Sequence, residues 1–259
     1  MHPISWDPPA GHTGDALGWR AKFGVLAPST NTIVEPDFYA MSVPGVTAHI
    51  SRIHIRDMTM DSDAGMENLL EQIRAEIGHA VERVMTAEPD YLVMGMSAET
   101  FWGGKAGSIE FREHIRRLSG LEVATGAEAC ERALQIFGAK RIGVVTPYQS
   151  VGDAQVVRFF EDLGFEVVAI KGLRCPTAVS IAQVPESTLR EALLEVNSDD
   201  VDALVQTGTN LSMVRLADEA ERWLGKPVIA INAATWWMAL RDNGINDRVE
   251  RSGRLLREF

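Results

Sequence analysis

The run Ala203-Leu204-Val205-Gln206 ends in Thr207-Gly208-Thr209-Asn210-Leu211. A strand with that ending brings hydroxyls and an amide to its carboxyl edge, and Gly208 lets backbone approach a ligand closely. Three other apolar runs end alike, in Pro28-Ser29-Thr30-Asn31-Thr32, Gly95-Met96-Ser97-Ala98-Glu99 and Thr146-Pro147-Tyr148-Gln149-Ser150. Neutral hydroxyl and amide donors beside a helix N-terminus suit a carboxylate, because the dipole favours its charge and the donors fix its orientation. Ser29, Thr30, Asn31, Tyr148, Thr207, Gly208, Thr209 and Asn210 are therefore the expected substrate-binding residues. Ser97 and Glu99 are the expected catalytic pair. Ser97 would donate to a developing anion and Glu99, the one acid in its turn, would serve as general acid or base. Plainer roles compete at each position: Ser29 or Thr32 as a helix cap, Glu99 as a solvated helix carboxylate.

The rest of the composition narrows the chemistry. The 259 residues carry a formal charge of -11, which argues against a nucleic-acid or anionic-membrane partner, since both need basic faces. No apolar run approaches the roughly 20 residues that cross a bilayer. The N-terminal stretch has no apolar signal core, so a cytoplasmic address is expected. Cys130 and Cys175 are the only cysteines and the six histidines are scattered, so neither a disulfide framework nor a metal site is expected.

Elements must position these turns. Strand-like runs fall at 23–27, 46–55, 91–95, 121–125, 141–146, 166–170, 203–207 and 228–231. Helical periodicity is clearest over 65–87, and shorter patterns occupy 127–138, 152–163, 186–196, 212–224 and 234–243. Strands alternating with helices imply parallel sheets covered on both faces, an α/β protein. Residues 1–20, rich in Pro and Gly, read as an irregular arm. The chain also echoes itself: Gly24-Val25-Leu26-Ala27-Pro28 recurs as Gly143-Val144-Val145-Thr146-Pro147, and Asp90 to Ser97 recurs as Asp202 to Thr209. Two similar halves follow, the first at 21–120 with 228–259 and the second at 121–227. Their turns would face one another across a cleft, where ligands of such folds bind.

"GVLAPSTNTIVEPDF" (24–38), "MGMSAETFWGG" (94–104), "RIGVVTPY" (141–148) and "QTGTNL" (206–211) resemble the aspartate/glutamate racemase superfamily, in the branch of maleate cis-trans isomerase and arylmalonate decarboxylase. The resemblance implies two pseudo-symmetric α/β halves with the active site between them and no cofactor or metal. It also implies that Asn31, Tyr148 and Asn210, with Ser97 and Thr209, hold a substrate carboxylate. The superfamily's racemases place one cysteine in each half, and the decarboxylase keeps the second. Here those positions fall at Gly95 or Met96 and at Gly208. The expectation is a cofactor-independent enzyme acting on a small carboxylic acid by a decarboxylase, lyase or hydrolase step without a thiol. The alternatives are a carboxylate-binding protein without activity, or an enzyme whose thiol has moved to Cys175. Trp236-Trp237 reads as core, cleft wall or subunit contact. Arg52 could reach a second carboxylate, and the basic C-terminal segment could form a contact in an expected homo-oligomer.

Overall fold

The computed structural model describes residues 15–259, so residues 1–14 of the expected arm lie outside the described residues. The strand-like runs assemble into two four-stranded sheets. The first contains β1 (Ala21–Pro28), β2 (Val46–Ile53), β3 (Tyr91–Met94) and β4 (Val123–Ala124), in the order β2-β1-β3-β4. The second contains β5 (Arg141–Thr146), β6 (Glu166–Gly172), β7 (Ala203–Gln206) and β8 (Val228–Ala230), in the order β6-β5-β7-β8. All six pairings are parallel. The second order is the first moved on by four strands, so the sequence echo marks a structural repeat.

A steric cause stands behind the repeated glycine. Gly24 pairs with Leu92 and Gly143 with Leu204. A Cβ on Gly24 would stand 2.8 Å from Leu92 Cδ2, and one on Gly143 would stand 2.9 Å from Leu204 Cδ2. Helices press on both points, through Val84 of α2 (Asp63–Met85) and Val196 of α7 (Glu186–Val196). No side chain fits at either crossing.

The remaining helices are α1 (Val34–Ala40), α3 (Ala98–Phe101), α4 (Gly104–Ser119), α5 (Gly126–Ile136), α6 (Ser150–Asp162), α8 (Val214–Leu224), α9 (Ile231–Asp242) and α10 (Arg254–Glu258). α2 starts at Ser62, whose hydroxyl accepts from the Gly65 amide at 3.2 Å. It buries Met66, Leu70, Ile73, Ile77, Val81 and Val84, the stripe expected from its periodicity. α4 has no counterpart in the sequence reading. Its buried positions are Gly104, Ser108, Phe111 and Ile115, so half of its inward face carries no apolar signal.

The division of the chain needs correcting at two strands. β4 belongs to the first sheet, although the expected boundary put 121 onward in the second half. β8 extends the second sheet, although it was expected in the first half. The helix after β8 does cross back: α9 packs against α5, α1 and β3. Trp236 of α9 stacks on Phe38 of α1 at 5.0 Å, meets Phe23 of β1 edge-on at 5.4 Å, and donates through Nε1 to the Met41 carbonyl. The tryptophan pair is core. A two- or three-residue apolar strand carries no mark of which sheet it extends, and its neighbour's edge decides.

Candidate active site

The carboxyl ends of β1, β3, β5 and β7 converge on one cavity of about 440 Å³, mouth included. Its polar lining is Thr30, Asn31, Ser97, Tyr148, Thr209 and Asn210, with Gly208 between them. The apolar wall comes from Ile55, Leu69 and Ile73 on one side and Ala178 and Ile181 on the other, with Met96, Pro28 and Pro147 completing it. Seven of the ten expected site residues therefore meet in one place.

Hydrogen bonds tie the two halves together across this cavity. Ser97 and Tyr148 hydroxyls lie 2.6 Å apart, and Tyr148 also reaches the Thr207 carbonyl at 3.2 Å. The Thr209 amide donates to Ser97 Oγ at 3.3 Å. With the phenol donating to Thr207, the order is Thr209 N–H to Ser97, Ser97 O–H to Tyr148, Tyr148 O–H to the carbonyl. Such a closed ring keeps buried polar groups satisfied until a stronger acceptor arrives. Burial raises the Tyr148 phenol well above its ordinary pKa, against the lowering effect of Ser97, so it is a donor at neutral pH.

The asparagines divide their work. Asn31 Oδ1 accepts from the Ile33 and Val34 amides at 3.0 and 2.9 Å, which opens α1 and leaves Nδ2 directed at Thr209 Oγ1, 3.1 Å away. Asn210 is spent on the scaffold: Oδ1 accepts from the Thr32 amide and Nδ2 donates to the Ala178 carbonyl, both at 3.0 Å. Arg52 is likewise occupied, donating to the Asn31 carbonyl at 2.7 Å and pairing with Glu35. It does not line the cavity.

Three expected residues stand elsewhere. Ser29 exchanges hydrogen bonds with Ile55, accepting from its amide at 3.1 Å and donating to its carbonyl at 3.2 Å, which holds the turn to the chain beyond β2. Thr207 lies fully buried beneath the cavity, where its carbonyl rather than its hydroxyl meets Tyr148. Glu99 points away, into a separate groove, and accepts from Arg74 Nε at 2.7 Å. The first turn of α3 rotates Ser97 and Glu99 to different sides.

Neither thiol lines the cavity. Cys130 is enclosed in α5, and Cys175 is buried behind Pro147, whose carbonyl accepts from the Cys175 amide at 3.0 Å. Burial pushes the Cys175 thiol up to about 11 and Cys130 higher still. A Cβ at Gly95 would face Ala27 and Leu26, under the sheet, so Met96 is the cavity-facing member of that turn. Among the described residues no cluster of His, Cys, Asp or Glu could hold a metal ion, and no helix is long and apolar enough to cross a membrane.

Asn232, in the first turn of α9, went unnoticed in the sequence. Its Nδ2 donates to the Thr209 carbonyl at 3.0 Å and to Asp37 Oδ2 at 2.8 Å. Its position directly after the β8 strand, as in the other four turns, was the available signal. Asp37 has no cationic partner among the described residues, and burial pushes its carboxyl up to about 6. A raised carboxyl binds its proton more tightly in the folded state, so its stabilising effect is complete below the unfolded value of 3.8 and is lost as pH rises through about 6. Asp37→Asn removes that loss. Thermal unfolding of the variant should match the parent near pH 4 and exceed it at pH 8 by up to about 3 kcal/mol. A gap independent of pH would contradict the assignment.

Two repeated parallel-sheet halves closing on one cavity of neutral donors define an α/β protein of the aspartate/glutamate racemase-like fold. A sequence model of the arylmalonate decarboxylase family matches residues 23–256, and the chain belongs to that family. The maleate isomerase of Nocardia farcinica is 26% identical over 92% of this chain and 96% of its own. The arylmalonate decarboxylase of Bordetella bronchiseptica is 24% identical over 58% of this chain and 62% of its own. In three dimensions, Nocardia farcinica maleate cis-trans isomerase bound to TRIS superposes with a TM-score of 0.82 at 23% identity, covering 92% of this chain and 98% of that one.

Proposed function

We propose that this enzyme decarboxylates a small malonate-type acid without a cofactor and without a thiol. The observation that carries the reading is the Ser97–Tyr148–Thr209 ring at the polar end of an otherwise apolar cavity. Racemisation needs a base in the cavity and isomerisation by covalent addition needs a nucleophile. Among the described residues the lining offers no carboxylate, histidine, lysine or thiol. Decarboxylation needs neither group for its first step. The bond from the α-carbon to one carboxylate breaks, carbon dioxide leaves, and the electron pair enters the remaining carboxylate as an enediolate.

Donors aimed at that carboxylate bind the enediolate more tightly than the ground state, because charge grows on the oxygens they address. Ser97, the Thr209 amide and Tyr148 fill this role, with Asn31 holding Thr209 in place. The departing carboxylate faces Leu69, Ile73, Ile55 and Ile181, where loss of charge relieves poor solvation. Tyr148, the acidic group in the lining, transfers its proton to the α-carbon and recovers one from water beside Ser97.

The names of the relatives support the class: one is called a decarboxylase of arylmalonates and the other an isomerase of maleate. The test incubates the purified chain in deuterium oxide with malonate, methylmalonate, phenylmalonate and maleate, followed by proton and carbon-13 NMR. Loss of carbon dioxide from a malonate, with one deuteron gained at the α-carbon, is expected. Conversion of maleate to fumarate with every malonate inert would overturn it.

A further inference from the structure

A second cavity lies outside the one between the halves, in a groove between α2 and α4 closed at its head by α3. Its floor is apolar, from Ile77, Phe111 and Trp102. Glu99 stands at the head and is only 8% exposed. Arg74 occupies its Oε1, while Oε2 is fully buried with no hydrogen-bond partner. A buried carboxylate oxygen without a donor carries a desolvation cost that a ligand donor would remove. Gly107 also lines the groove, and a Cβ there would fall 2.0 Å from the Trp102 carbonyl, so the head stays free of a side chain from α4.

The rim is cationic. Arg74 engages Glu99 through Nε alone, and its two terminal nitrogens have no acceptor among the described residues. His114 and Arg117 line the same groove with no acidic partner among those residues, against the single further acid Glu110. In a chain of net charge -11, two guanidiniums gathered on one groove favour an anion locally. An acceptor-only oxygen and a guanidinium side by side above an apolar floor complement one chemistry: an ammonium next to a carboxylate, with an apolar group beyond.

We propose that this groove binds an apolar α-amino acid. Its ammonium donates to Glu99 Oε2, its carboxylate accepts from the terminal nitrogens of Arg74, and its side chain lies over Ile77, Phe111 and Trp102. The site shares its walls with the first cavity. α2 contributes Leu69 and Ile73 to one and Arg74 and Ile77 to the other, while Met96, Ser97 and Ala98 face one and Glu99 the other. An occupant that fixes Glu99 therefore acts on the turn holding Ser97.

The test titrates L-leucine into nitrogen-15-labelled protein and follows the Trp102 indole signal. Two isosteres each lack one charged group: 4-methylpentanoate has no ammonium and 3-methylbutylamine has no carboxylate. L-leucine is expected to bind saturably and to shift Trp102, with both isosteres at least about tenfold weaker, a loss of about 1.4 kcal/mol. Glu99→Gln and Arg74→Met should each weaken L-leucine by at least about tenfold while Asn31→Ala does not. Glu99→Gln keeps the shape of the buried group, so the variant folds and its loss of binding reads on charge. No binding of L-leucine, equal binding of the isosteres, or abolition by Asn31→Ala alone would each overturn the proposal. The readout is binding in the groove, so it stands or falls independently of the decarboxylation test.

Discussion

Tyr148→Phe is expected to lower turnover of the accepted malonate about a hundred- to a thousandfold while leaving the fold intact. In the proposed mechanism the phenol is the member of the ring that both donates to the reacting carboxylate and supplies the proton to the α-carbon. Removing one preorganised donor from a water-poor site costs about that much in the chemical step. Ground-state binding should change far less, because Ser97 and the Thr209 amide still hold the acid. The loss therefore belongs in kcat rather than KM. Ser97→Ala should show a loss of similar kind. The double variant should lose much less than the sum, since Ser97 and Tyr148 share one hydrogen bond at 2.6 Å. Thermal unfolding decides whether the fold is intact: two buried hydrogen bonds disappear, worth about 1 kcal/mol each. Turnover of Tyr148→Phe within about threefold of the parent would remove the phenol from the mechanism.

Gly208→Cys should fail to install thiol chemistry and should destabilise the protein. Gly208 lines the cavity at a position where the resemblance to the superfamily implies a cysteine. A Cβ there would stand 2.7 Å from both Cγ and Cδ of Pro147. A proline ring cannot rotate aside as a flexible side chain does, so the turn after β5 must move, at a cost of about 1–3 kcal/mol. Pro147→Ala relieves the contact. The double variant should be more stable than the sum of the single changes, with a coupling of about 1 kcal/mol or more in denaturant unfolding. Additive losses would mean that Pro147 is not what fills the space. A gain of maleate isomerisation by the single variant would show that the cavity accepts a thiol without rearrangement.

How far the sequence reached is clearest at the turn Gly95 to Glu99. Its place after a buried strand, its donors and its partner turns were legible, because strand period and turn composition follow from local chemistry. The side each residue faces was not. Ser97 and Glu99 are two residues apart, and only the packing of α3 against α4, α5 and α6 sends one to the cavity and the other to the groove. Thr207 and Asn210 show the same gap. Both carry the right chemistry, yet one lies beneath the floor and the other spends its amide tying Thr32 to Ala178.

Asn232 makes the converse case. Its place just after β8 is the one local mark it carries, and it joins because α9 crosses from the second sheet back to α1. By itself the sequence determined the α/β class, the repeat, and the four strand ends that carry neutral donors. These rest on patterns a few residues long. The tertiary structure alone decided which sheet β4 and β8 extend, which donors remain free, and that Glu99 belongs to another groove. Those outcomes depend on contacts between residues well separated in the chain, from Leu204 and Val228 across one strand pair to Ser97 and Thr209, 112 residues from one another. No local pattern encodes them.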